Sequence, residues 1–124
     1  MKKNIKGFGS TVAMEPSNFV RLVGNTARTR ILDFFLENEE WDYPLTDVAK
    51  LAGVSWSTVN VIVPQLLELE FIKKTRKVGR STMYSLNVDN PFIKHLLKFD
   101  LELAYQECKK EVKRQEESER EKYV

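Results

Sequence analysis

The segment from Ser55 to Val61 carries hydroxyl, amide and apolar side chains within two turns of a predicted helix. Hydroxyl groups can donate to phosphates or base edges, and an amide such as that of Asn60 can pair with adenine through two hydrogen bonds. Indole and methyl groups can pack on thymine methyl groups or on sugars. The candidate set for reading base edges is Ser55, Trp56, Ser57, Thr58, Asn60 and Val61.

Positive charge is concentrated in a second segment, although the whole chain has a net charge of only +2. Its basic residues are Lys73, Lys74, Arg76, Lys77 and Arg80. The lysines can bind phosphates, and an arginine at the tip of a turn, Arg76 or Arg80, suits a narrow minor groove. The alternative is that these charges only solvate an exposed hairpin.

The first segment itself lacks positive charge. No lysine or arginine lies between Val54 and Ile72, so its helix cannot make the arginine–guanine contact, which is the commonest specific contact in DNA recognition. Base reading would therefore be modest and tilted towards A·T pairs, or it would depend on DNA shape and on the basic segment.

Two short helices and a tight turn must position the first segment. Thr46 is predicted to cap the first helix, Gly53 to close it in a left-handed conformation, and Ser55 to cap the second helix. Pro64 removes a backbone donor and predicts a kink, a break or a fresh helical start. Helical spacing predicts two buried faces, Val48, Leu51 and Ala52 in the first helix and Val59, Ile62, Leu66 and Leu69 in the second.

These helices resemble a helix-turn-helix, and residues 25–97 resemble a winged-helix transcription regulator, similar to the small archaeal and bacterial regulators of the ArsR and MarR types. The motif has a small residue in its first helix, here Ala49, and a glycine at the turn, here Gly53. Its apolar contact positions are Val48, Ala52, Val54, Val59 and Ile62. The resemblance implies a mainly α fold with a small β-hairpin (α+β), which is the wing, and a long C-terminal dimerisation helix.

The resemblance also implies a function. It implies a sequence-specific regulator, a repressor, that binds double-stranded DNA as a homodimer in the cytoplasm. The second motif helix would enter the major groove, and the wing would lie on the backbone or in the minor groove. One alternative is a winged-helix protein–protein interaction module in a transcription, replication or segregation assembly. Another is a regulator that binds a small molecule between the dimer helices and Trp41 or Tyr43.

Upstream of the motif, two helices are predicted. Ser17 is expected to cap a short helix, and residues 26–37 have the apolar spacing of a longer helix with one core face. Arg28 and Arg30 lie off that face, where an arginine is either solvated or bound to a phosphate.

A loop and a hairpin complete the domain. Acidic residues 37–44 are predicted to form a loop in which Trp41 and Tyr43 close the edge of the core, with a short strand near Tyr43. Residues 71–75 and 81–87 alternate as the strands of a hairpin.

The chain divides into three parts. Residues 1–16 form a loose basic arm that either touches DNA or only improves solubility, residues 17–90 form the winged helix-turn-helix domain, and residues 91–124 form the last helix. This helix is wider in its apolar face than one small domain needs, so it is predicted to dimerise; the alternative is packing on the helix of residues 26–37. Its charged end beyond Val112 is expected to fray. The predicted dimer residues are Phe92, Leu96, Leu97, Leu101, Ala104 and Cys108.

Composition argues against several other classes. A length of 124 residues favours one domain, and the chain shows neither a membrane-spanning apolar run nor a signal peptide. The single cysteine excludes an intramolecular disulfide and fits a reducing cytoplasm. The single histidine, His95, defines no catalytic triad or metal site, and no glycine-rich phosphate loop occurs. We therefore expect neither an enzyme nor a cofactor.

Overall fold

The computed structural model describes residues 17–122, so the basic arm predicted at residues 1–16 lies outside the described residues. The elements within that range are α1 Asn18–Val23, α2 Ala27–Glu37, α3 Leu45–Ala52, α4 Trp56–Glu68, β1 Ile72–Val78, β2 Ser81–Leu86 and α5 Pro91–Lys122. This order of helices followed by an antiparallel hairpin and a long helix is that of a winged helix. The predicted fold class is confirmed.

Hydroxyl caps start the first two helices. The Ser17 side chain accepts a hydrogen bond from the Val20 amide at 3.2 Å, as predicted for the cap of α1. Thr26 and Thr29 form a reciprocal capping box, so α2 begins one residue later than predicted. The buried face of α2 consists of Ile31, Phe34, Phe35 and Leu36.

The two central helices, α3 and α4, form the predicted helix-turn-helix. Gly53 lies between them with φ of 70°, a left-handed conformation that strains other residues, and its amide donates to the Ala49 carbonyl. Val48 is fully buried where the helices meet. The Ser55 hydroxyl accepts from the Thr58 amide at 3.2 Å and caps α4 as predicted.

Three predictions for the ends and faces of this motif are wrong. The first helix begins at Leu45 after Pro44, so Thr46 lies inside the first turn and does not cap it. With that start, the buried face is centred away from Leu51, which is exposed. Leu69 is also exposed, because it follows the last residue of α4 and helical spacing no longer places it on the core face.

The second motif helix, α4, is continuous through Pro64, so the predicted break or fresh start does not occur. Pro64 lies on the exposed side of the helix, where water can satisfy the carbonyl that loses its usual amide partner. The buried residues of α4 are Val59, Ile62 and Leu66, as predicted, together with Val63.

The wing is a hairpin joined by the two-residue loop Gly79–Arg80. Residues 76–78, which we placed in the turn, belong to β1, because a two-residue loop that begins with glycine lets the strands pair almost to its ends. Ile72 and Leu86 pair at the base and are buried, whereas the rest of β1 is exposed. The hairpin therefore projects from the core.

Tyr43 joins the acidic loop to the wing. Its backbone exchanges two hydrogen bonds of 2.8 Å with Tyr84, a one-residue form of the predicted short strand. Its ring packs edge-on against Phe34 with centroids 4.9 Å apart, so it closes the core edge as predicted. Trp41, which we expected to do the same, is 65% exposed.

The last helix contributes to the core at its start. The Asn90 side chain accepts from the amides of Phe92 and Ile93 at 2.8 and 3.3 Å and caps α5, and Ile93 is fully buried. The helix packs mainly against α1. The alternative that we considered was packing against α2. The charged segment that we expected to fray is helical as far as Lys122. No helix in residues 17–122 is long and apolar enough to cross a membrane.

Candidate nucleic-acid interface

One side of α4 is free of the core and carries much of the predicted base-reading set. At 3.6 residues per turn, these positions fall within an arc of about 100° opposite the buried face. They are Ser57, Asn60, Val61 and Pro64, all exposed. Trp56, the first residue of α4, flanks this arc and is 53% exposed. We call these five residues the α4 outer face.

The hydroxyl groups at the start of α4 are mostly used by the protein itself. The Ser55 and Thr58 hydroxyl oxygens lie 2.7 Å apart, and Ser55 also accepts from the Thr58 amide. The Ser57 hydroxyl oxygen is 3.2 Å from that of Ser55. Ser55 and Thr58 therefore build the helix cap, and of the three only Ser57 lies on the α4 outer face.

The amide of Asn60 is also partly engaged. Its Nδ2 donates to the Trp56 carbonyl at 2.8 Å, one turn earlier in α4. This bond leaves one N–H and the Oδ1 oxygen of Asn60 free. The pairing of Asn60 with adenine would need both groups, and it stays a prediction.

Two arginines of α2 form hydrogen bonds with the helix-turn-helix. Arg30 donates from Nη2 to the Gly53 carbonyl at 2.7 Å, which ties α2 to the turn between α3 and α4. Arg28 donates from Nη2 to the Gln65 side chain on α4. The sequence offered solvent or phosphate as partners for both arginines, and it contained no signal for these contacts.

The wing presents its cations to solvent. Lys73, Lys74, Lys77 and Arg80 are exposed, and Arg80 occupies the loop at the tip. The first wing strand, β1, also contacts α4, which precedes it in the chain. The wing cations and the α4 outer face are the two surfaces that the sequence predicted, and both are exposed.

Arg76 differs from the other wing cations because it binds a carboxylate. A register shift between Lys74 and Lys77 puts Thr75 and Arg76 opposite one residue of β2. Arg76 Nε and Thr75 Oγ1 donate to the same Asp42 oxygen at 2.9 and 2.6 Å. The hydrogen bond from Arg76, reinforced by that from Thr75, lowers the pKa of Asp42 from 3.8 to about 2. Arg76 thus ties the middle of the wing to Asp42 and does not lie at the tip.

An open depression of about 280 Å³ adjoins this ion pair. It is lined by Glu39, Glu40, Trp41, Asp42, Thr75, Arg76 and Ser85. Within residues 17–122, no group of three or more His, Cys, Asp or Glu residues is arranged to hold a metal ion.

The predicted dimer residues separate into two sets along α5. Phe92 stacks on Phe71 with ring centroids 4.8 Å apart, and Leu96 and Leu97 are partly buried against the domain's own core. The second set is exposed and consists of Leu101, Ala104 and Cys108.

Further exposed apolar residues extend the second set. Leu101, Tyr105, Cys108 and Val112 recur at intervals of four, three and four residues, the spacing of a coiled-coil seam. We call these four residues the α5 seam. Leu101 is 73% exposed. The sequence prediction named Leu101 and Cys108 but left out Tyr105 and Val112.

These features define a class by fold: a winged helix with an exposed basic wing and a long terminal helix, the fold of MarR and ArsR family transcriptional regulators. The chain matches a MarR family regulator from Silicibacter pomeroyi with a TM-score of 0.53 and 18% identity, over 73% of this chain and 62% of that one. The chain therefore spans less than two thirds of that regulator.

Two other matches have informative descriptions. One is a variant of the Staphylococcus aureus regulator MepR bound to an oligodeoxyribonucleotide, with a TM-score of 0.55 and 16% identity over 85% of this chain and 77% of that one. The other is a homodimeric winged helix-turn-helix DNA-binding domain from Mycobacterium bovis, a possible ArsR-family regulator, with a TM-score of 0.50 and 15% identity over 73% and 79%. No protein-family model and no curated protein sequence matches the chain. At these identities the likeness establishes the fold.

Proposed function

We infer that this protein is a sequence-specific double-stranded DNA-binding transcription regulator. In this proposal α4 enters the major groove and the wing lies on the backbone or in the minor groove. The observation that carries the proposal is the set of exposed cations on a wing that projects from the core, in a fold whose second motif helix also has an exposed face. The DNA-bound state of MepR, a structure of the same fold, supports it.

The distribution of charge supports the same orientation. Lys73, Lys74, Lys77 and Arg80 bind no carboxylate of residues 17–122, so their charge is available to phosphates. Repeated phosphate contacts hold a protein in register on a duplex, while base-edge contacts select the site. A wing that contacts phosphates and a helix that contacts base edges would together supply both kinds of contact.

We further propose that the regulator acts as a homodimer through α5. The α5 seam is an exposed apolar stripe with coiled-coil spacing, and a second copy of the helix would bury it. The homodimeric Mycobacterium bovis domain, which has the same fold, favours this assembly. Two copies would contact two half-sites about one helical turn apart, which predicts a palindromic operator. A dimer that covers the operator excludes other proteins from it, so we propose repression.

A second candidate is a winged-helix protein–protein interaction module. It is favoured by the uncharged α4 outer face, since Trp56 and Val61 are 53% and 58% exposed and could equally pack on a protein. Salt dependence separates the two, because phosphate contacts release counterions and a mainly apolar protein contact does not.

The test is binding to short random-sequence duplexes at low and at physiological salt. The wild type is compared with Lys77→Ala/Arg80→Ala, which removes two cations near the wing tip. We expect affinity to fall by at least about tenfold at low salt, and the slope of log affinity against log salt to decrease by about two per wing.

The matched control is Lys110→Ala/Lys113→Ala, which removes the same charge from exposed positions of α5. This control should bind DNA almost as the wild type does. An equal loss in both variants would mean that net charge, and not the wing, governs binding. No binding by the wild type at low salt would reject the DNA-binding function and favour the interaction module.

A further inference from the structure

The α4 outer face offers DNA very few hydrogen-bond donors. It has no lysine or arginine, and the Asn60 amide already donates to the Trp56 carbonyl. The hydroxyls of Ser55 and Thr58 pair with each other. What projects most freely from this side of the helix is apolar surface, namely the Trp56 indole, the Val61 methyl groups and the Pro64 ring.

The major groove contains one apolar base-edge group, the C5-methyl of thymine. Apart from C–H groups such as that at cytosine C5, the other base-edge groups there are hydrogen-bond donors or acceptors, which lose water when an apolar side chain covers them and gain no partner in return. A recognition helix that presents methyl groups and the ring of an indole is therefore complementary to thymine methyls and poorly matched to a G·C edge, to which these groups offer only the indole N–H as a donor.

The position of Val61 strengthens this argument. It lies at one edge of the exposed arc of α4, one turn from Ser57 and three residues from Pro64, and it is 58% exposed. The apolar exposure on this side does not reflect a poorly packed core, because the opposite residues Val59 and Val63 are buried.

We propose that Trp56 and Val61 are specificity-determining residues that read thymine C5-methyl groups in the major groove. This inference rests on the proposed DNA-binding function and names what α4 recognises. The wing cations supply affinity through phosphates, and the α4 outer face selects sites by their pattern of methyl groups.

The experiment removes the methyl group from the DNA and leaves the rest of the base pair unchanged. A duplex enriched by the wild-type protein from a random pool is synthesised twice, with thymine and with deoxyuridine at the same positions. Binding should weaken by about fourfold for each thymine methyl group that α4 buries in the first duplex, the value of one methyl-sized group. A dimer that buries one such methyl in each half-site would bind the second duplex about fifteenfold more weakly.

Three variants assign the effect to residues. In Trp56→Ala and in Val61→Ala the penalty for deoxyuridine should shrink, because the side chain that packs on the methyl is gone. In Leu69→Ala it should stay as in the wild type, since Leu69 is an equally exposed apolar residue beyond the end of α4. Circular dichroism verifies that each variant is folded.

The outcomes separate this inference from the DNA-binding function. Equal, salt-dependent binding of both duplexes by the wild type would overturn the methyl-reading role and leave DNA binding intact. A deoxyuridine penalty of the same size in every variant would assign the effect to DNA shape and would also overturn it. No binding of any duplex at low salt would reject both proposals.

Discussion

Asp42 binds the middle of the wing through two adjacent side chains of β1. Its carboxylate accepts from Arg76 Nε and Nη2 at 2.9 and 3.2 Å and from Thr75 Oγ1 at 2.6 Å. Both donors lie at the register shift, which turns two consecutive residues towards the same loop. The acidic loop thereby sets the direction in which the basic hairpin projects.

We predict that Asp42→Asn lowers the melting temperature near neutral pH and has little effect near pH 2. The pKa of Asp42 is 3.8 ordinarily and about 2 in the folded protein, so its ionised form is favoured by folding. This stabilisation is complete above the unfolded pKa and is lost as pH falls through the folded pKa, that is, between about pH 4 and pH 2. Thermal unfolding of both proteins at pH 7, 4 and 2.5 measures it.

The control for this prediction is Glu116→Gln, the same carboxylate-to-amide change at an exposed position of α5. It should alter the melting temperature little at any pH. If the difference between Asp42→Asn and the wild type were the same at all three pH values, the ion pair would not be its cause.

Local residue roles could be predicted from the sequence, and long-range pairs could not. Ser17, Gly53 and Ser55 take the capping and turn positions that their types favour, because a cap is decided by the next three or four residues. The pairs Arg30–Gly53 and Arg76–Asp42 join positions 23 and 34 residues apart. No local pattern contains that information, so the sequence left both arginines available to DNA.

At the scale of elements, periodicity predicted which segments are helices or strands but not where each one ends. The spacing of apolar residues identified α2, α4 and the hairpin, because a buried face must repeat with the helix or strand period. Apart from the break expected at Pro64, the errors in element bounds lie at ends, where the period stops: Thr46 at the start of α3, Leu69 after α4 and residues 76–78 in β1. The exposure of Asn60 and Val61 was predicted because both lie well inside their helix.

Pro64, inside α4, is expected to lower the stability of that helix. Proline inside a helix costs about 3 kcal/mol, since it removes one hydrogen bond and crowds the preceding turn. Replacement by alanine restores an amide that can donate to the Asn60 carbonyl. We predict that Pro64→Ala raises the free energy of unfolding by about 1–3 kcal/mol, seen as a higher urea midpoint with an unchanged slope.

Glu68→Ala, at an exposed position of the same helix, is the comparison and should change stability by no more than about 0.5 kcal/mol. A Pro64→Ala protein no more stable than the wild type would show that α4 accommodates proline without loss. A gain in stability together with weaker DNA binding would instead indicate that the proline is retained for the surface that it shapes.

For the whole molecule, α5 is the helix that extends beyond the core of its own domain. Its first turns complete the core through Ile93, and its later turns leave the domain with an apolar stripe on one side. By the rotation of 100° per residue, the centre of the α5 seam is about 90° around the helix from Ile93. A helix whose apolar stripe continues beyond its own domain can bind that domain and a second copy at the same time, which a purely intramolecular helix would not need.

We predict that Leu101→Glu/Val112→Glu converts a dimer to a monomer without unfolding the domain. Both residues are exposed in one chain, so each substitution leaves the core intact, but in a dimer it would bury charges at the seam. Light scattering during gel filtration should give the mass of one chain for this variant and of two chains for the wild type. Lys110→Glu introduces the same side chain on the opposite side of α5 and should stay dimeric.

Loss of the dimer should also weaken DNA binding, because two linked domains bind two half-sites with an avidity that one domain lacks. Affinity of the monomeric variant for a palindromic duplex should fall by about 10²-fold or more, while its affinity for a single half-site matches that of the wild type. If the wild type were itself a monomer, or if the variant kept full affinity for the palindrome, α5 would not be the dimer element. The wing and the α4 outer face would then have to act on DNA one copy at a time.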